Sequence, residues 1–97
     1  MKRIILTIIL LTWSFLSTSN DHLTYCTDLH GLAAKVMELR QERASMAELF
    51  GFANGSEIIM EIIKVAYETQ VYSSESFKQS AIDKFANDIF IICIEAR

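Results

Sequence analysis

"TYCTDLHGLAAKVMELRQ", residues 24–41, carries a cysteine at its front and a helical repeat behind it. Leu29, Leu32, Ala33, Val36, Leu39 and Arg40 recur at spacings of three and four, while Lys35, Glu38 and Glu42 fall on other faces. That period gathers the apolar positions into one stripe of a helix. The predicted helix runs from Leu23 to Arg43, with Gly31 inside it as a mild weakening. What Cys26 does at its front decides the compartment and most of the architecture: nucleophile, metal ligand, lipid anchor or staple.

The residues before it read "MKRIILTIILLTWSFLSTSN". Lys2 and Arg3 precede the apolar stretch Ile4 to Leu16, which as a helix spans roughly 20 Å. A bilayer core is about 30 Å thick, so a spanning helix of that length is short. Ser17 and Ser19 have the spacing of a small-residue cleavage site. Residues 1–19 therefore read as a cleavable signal peptide and residues 20–97 as a helical domain, with an uncleaved anchor as the alternative.

At 97 residues the chain holds one domain at most. Apolar residues make up 52%, too many for a disordered chain, and with no proline and three glycines the main helix breakers are nearly missing. Removing the leader leaves seven basic against twelve acidic residues, a net charge of −5. No basic cluster remains, so the composition argues against nucleic acid and against an anionic membrane surface as partners.

Three further helices follow. "SMAE" at 45–48 has the form of a capping box, and Asn54-Gly55 is a helix stop because both residues tolerate positive φ. The third helix begins near Ser56, with Ile58, Ile59, Ile62, Ile63, Ala66 and Tyr67 as one stripe. Isoleucine favours strands, but paired isoleucines between polar residues do not alternate with period two, which favours the helix. For the fourth, Ser73 is the expected N-cap, with Tyr72 and Phe77 as a hydrophobic staple. Phe77, Ala81, Ile82, Phe85, Ile89, Ile92 and Cys93 trace its expected buried face, and Lys84 can pair with Asp88 outside it. The expected fold is all-α, a small four-helix bundle with one short helix.

Cys26 and Cys93 are the two cysteines, and in an exported chain such a pair reads first as a disulfide. In an up-down-up-down bundle the first helix starts and the fourth ends at the same end, which brings the two together. Closing so long a loop stabilises by about 4 kcal/mol on chain-entropy grounds. The rivals are weaker. His22, Cys26 and His30 are spaced i, i+4, i+8 and with Cys93 make four metal-ligand types, but a metal needs reduced thiols, which export opposes. Without metal, both histidines read as exposed helix decoration. A catalytic thiol needs a base and a cleft. A lipid anchor wants a small residue where Tyr25 stands.

There is no Gly-rich phosphate loop, HExxH, CxxC or nucleophile elbow, and Glu57 and Glu61 read as a solvated face. No catalytic residue, metal or cofactor is expected. "ELFGFANG" at 48–55 is the most suggestive surface stretch: Phe50 and Phe52 flank Gly51 and cannot both face one way on a helix. Both packing under helices 3 and 4 is the plainer reading, and one of them meeting a partner protein the sharper one. Tyr72 is treated alike, as staple first and partner contact second. Met37, Met46 and Met60 read as core filler.

"GLAAKVMELRQ" at 31–41 and "YSSESFKQSAIDKFANDIFIIC" at 72–93, together with the leader, resemble small exported two-cysteine helical proteins of Gram-negative bacteria and their phages. The resemblance covers helices 1 and 4 and both cysteines, and implies export and a helical fold but no activity. The expected function is that of a periplasmic, non-enzymatic protein-interaction protein, such as an inhibitor or immunity-type binder. Two alternatives stand beside it. One is an acid-stress chaperone, similar in size to the HdeA family though with a different cysteine spacing. The other, if the leader is retained, is a membrane-tethered phage lysis regulator.

Overall fold

The computed structural model describes the backbone of residues 2–96 and the side chains of residues 21–96. The leader assigned to residues 1–19 lies outside the described side chains. Among the described residues the fold is all-helical, with four helices in the order α1 (Lys2–Gln41), α2 (Met46–Ala53), α3 (Glu57–Ala66) and α4 (Glu75–Glu95). No described helix is long and apolar enough to cross a membrane.

Local chemistry sets most of the boundaries. Ser45, Ser56 and Ser74 sit in extended conformation, and each hydroxyl accepts the backbone N–H three residues on, from Glu48, Ile59 and Phe77. Each such cap is worth about 1 kcal/mol. Asn54 at φ 52° and Gly55 at φ 81° turn the chain sharply between α2 and α3. At the end of α1, Ala44 N–H donates to Leu39 C=O and Arg43 N–H to Arg40 C=O, both at 3.0 Å. Those two bonds are a Schellman motif with Arg43, at φ 67°, in the place usually held by glycine. This is why the helix expected to reach Arg43 stops at Gln41. At its other end α1 is continuous through His22 and does not begin at Leu23.

α1 and α4 form the long axis and run antiparallel. Cys26 meets Cys93, His30 meets Asn87, and Gln41 meets the chain at Tyr72 just before α4. α2 and α3 make a short helical hairpin against this pair, α2 packing on α3 and α3 on α1. The core is a single cluster of Leu29, Ala33, Val36 and Met37 from α1, Leu49 and Ala53 from α2, Ile62, Ile63 and Ala66 from α3, and Phe85 from α4. Met37 and Ile63 are fully enclosed, each contributing about 1.5–3 kcal/mol by burial. Met60 packs against the cluster, whereas Met46 stays exposed and is not core filler.

α4 departs from expectation in two ways. Its N-cap is Ser74 rather than Ser73, one residue later. The Tyr72 and Phe77 rings still meet, with centroids 6.0 Å apart, but from one position outside the expected staple register. Phe77 and Ile92, expected on the buried face, are each 63% exposed. For Ile92 the reason is a gap: α3 packs on α1 and α2 rather than closely on α4, and Ile92 stands on the wall of the opening between them.

Candidate functional site: an apolar groove at the disulfide end

The disulfide joins Cys26 to Cys93 across 67 positions, with the Cα atoms 5.5 Å apart, and Cys26 is wholly buried. His22 Nε2 lies 3.7 Å from Cys26 Sγ, one turn before it on α1. One turn after it, His30 donates from Nε2 to Asn87 Oδ1 at 3.1 Å and stands edge-on to the Phe90 ring. His30 thus ties α1 to α4 rather than decorating a free face. The bridge takes both sulfurs out of the four-ligand set His22, Cys26, His30 and Cys93. Among the described residues no group of three or more His, Cys, Asp and Glu side chains is placed to hold a metal.

At this end the three helices do not close on one another. A groove of about 580 Å³ opens between α1, α3 and α4. His22, Tyr25 and Leu29 line it from α1, and Ile58, Glu61, Ile62 and Val65 from α3. Ile89, Ile92, Cys93 and Ala96 line it from α4. On each helix these positions recur at three and four residues, so each presents one stripe to the gap. The depth is apolar: Leu29 and Ile62 are core residues, while Tyr25, Ile58, Val65 and Ile92 stand exposed along its walls. The polar lining is confined to His22 and Glu61, and Glu61 holds Lys64 at 3.0 Å in an exposed ion pair. This arrangement offers a concave apolar surface whose one lining carboxylate, Glu61, is already paired. It suits binding of an apolar face rather than bond chemistry.

The surface residues singled out from sequence lie elsewhere. Phe50 is half-buried against the core, while Phe52 is 77% exposed on α2. Tyr72 is half-buried, with its N–H bound to Gln41 and its ring on Phe77. None of the three lines the groove. Ile58 belongs to the expected apolar stripe of α3 and Ile92 to the expected buried face of α4, while Val65 is on neither.

The opposite end is tied by polar bonds. Gln41, 2% exposed, donates from Nε2 to Gln70 C=O at 3.0 Å and accepts the Tyr72 N–H at Oε1 at 2.9 Å. Arg40 donates to Thr69 C=O at 3.0 Å and lies 4.7 Å from the centre of the Tyr67 ring. The Tyr67 hydroxyl donates to Ala44 C=O. Burial raises the Tyr67 pKa above its ordinary value, with the Arg40 charge opposing and Glu48 adding a little. These bonds fasten the segment between α3 and α4.

No family model matches the chain, and no curated protein or solved structure is similar enough to count as a match.

Proposed function

We propose that this chain is a small exported, periplasmic, non-enzymatic protein that works by binding another protein, as an inhibitor or immunity-type binder does. The observation that supports this reading is the groove: Tyr25, Ile58, Val65 and Ile92 are left uncovered together around an apolar recess. A contiguous apolar patch of this kind marks an interaction site more often than a solvated face. The disulfide fits an oxidising compartment, and with it a leader over residues 1–19 that is removed after Ser19.

Affinity capture from periplasmic extract tests the reading, using the wild-type chain, the double variant Ile58→Ser/Ile92→Ser and the variant Phe52→Ser. A one-to-one complex that the double variant loses and Phe52→Ser keeps is the expected result. A complex lost only in Phe52→Ser moves the contact to α2, and no complex at any salt concentration removes the binder reading. The mass of the recovered protein checks the leader. A chain beginning at Asn20 is expected, and one that retains residues 1–19 is a membrane-tethered protein instead.

A further inference from the structure

We infer that the groove takes an amphipathic helix of a partner protein whose polar face is basic. The inference rests on the binding reading above and names the partner's chemistry. The argument is charge complementarity around an apolar floor. Beside the lining stripes, Asp21 and Asp28 on α1, Glu57 and Glu61 on α3 and Glu95 on α4 are all exposed. Among the described residues of these three stretches Lys64 is the one lysine or arginine, and Glu61 already holds it.

That margin selects among occupants. A second copy of this chain brings the same acidic margin to a two-fold contact, and like charges face each other across it. An anionic lipid surface or a fatty-acid carboxylate meets Glu61 and the same field. A helix with leucine-like side chains along one stripe and lysines or arginines beside it satisfies both parts of the surface. The groove walls run from Ile58 to Val65 on α3 and from Ile89 to Ala96 on α4, each about 10 Å of helix. They therefore fit about two turns of a guest helix, read as i, i+3/i+4, i+7 anchors.

The test uses the mature chain and two 18-residue helical peptides of identical leucine stripe, one with lysine and one with glutamate on the polar face. Binding is followed by fluorescence anisotropy of a labelled peptide and mapped by amide chemical shifts. The lysine peptide is expected to bind one-to-one, to shift the amides of Tyr25, Ile58, Val65 and Ile92, and to weaken as salt rises. Ile58→Ser/Ile92→Ser is expected to lose at least tenfold in affinity. Glu57→Gln/Glu61→Gln is expected to lose several-fold and to flatten the salt dependence. Equal binding of the glutamate peptide overturns the inference, as do shifts confined to Phe50 and Phe52 or a groove-dependent dimer in sedimentation. If neither peptide binds while a natural partner is still captured through Ile58 and Ile92, the binding reading stands and the basic-helix inference falls.

Discussion

The Oε1 atom of Gln41 accepts the backbone N–H of Tyr72 at 2.9 Å, across 31 positions of sequence. The same side-chain amide donates to Gln70 C=O at 3.0 Å, so one buried glutamine holds both sides of the turn that leads into α4. It replaces the backbone partners that this segment lacks, and no buried side-chain polar atom is left unpaired among the described residues. Gln41→Leu keeps the bulk but strands a donor and an acceptor in a half-buried place. The expected cost is about 1–3 kcal/mol, read as a lower urea midpoint with an unchanged slope.

Denatured, unreduced mature protein should titrate with no free thiol, because Cys26 and Cys93 are bridged. Cys26→Ala/Cys93→Ala should lower unfolding stability by up to about 4 kcal/mol, since the bridge closes a 67-position loop in the unfolded chain. Two reactive thiols in protein taken from its native compartment, or a double variant as stable as wild type, would contradict this.

Ser73 and Ser74 provide a matched pair of substitutions. The Ser74 hydroxyl accepts the Phe77 N–H at 3.2 Å, while Ser73 is exposed and outside the helix. Ser74→Ala should cost about 1 kcal/mol and Ser73→Ala nearly nothing. The reverse order in thermal melts would restore the earlier start of α4.

What the sequence made legible was local. The caps at Ser45 and Ser56 and the Asn54-Gly55 stop each depend on a few adjacent residues, and the hydroxyl and positive-φ signals carry them. The Cys26–Cys93 bridge was also readable, because two cysteines allow one intramolecular pairing. What stayed hidden depended on neighbours distant in sequence. Nothing in the period of α4 says that α3 stands off from Ile92 across an open groove, or that Gln41 turns inward to meet Gln70. Two adjacent serines before α4 were interchangeable to a one-residue reading.

Arg43 marks a place where the chain departs from its own local preference. It holds the left-handed position of the α1 terminus at φ 67°, where an L-residue with a Cβ is disfavoured by about 1–2 kcal/mol. Arg43 is exposed, so its side chain is not needed for packing. Arg43→Gly should raise stability by about 1 kcal/mol, and Arg43→Val should lower it, because a β-branched side chain fits this region worst. Calorimetric melting of the two variants beside wild type measures both signs.

Tyr67 sets the alkaline limit of the Ala44 end. Its hydroxyl donates to Ala44 C=O, and burial, the largest cause, raises its pKa above the ordinary 10.0. The folded chain therefore keeps this proton to higher pH than the unfolded chain does. The sign follows from linkage: the stability it contributes is full below about pH 10 and is lost as pH rises through the folded value. Tyr67→Phe removes the hydroxyl and with it this pH dependence. The variant should be less stable at pH 7, by about 0.5–1.5 kcal/mol for the lost hydrogen bond, and the gap to wild type should narrow above pH 10. In absorbance titration of the folded protein, the variant should lack a tyrosinate component that rises above the ordinary value of 10.0. A gap that widens with pH would show that ionised Tyr67 is better accommodated in the folded chain than in the unfolded one, against the burial that surrounds it.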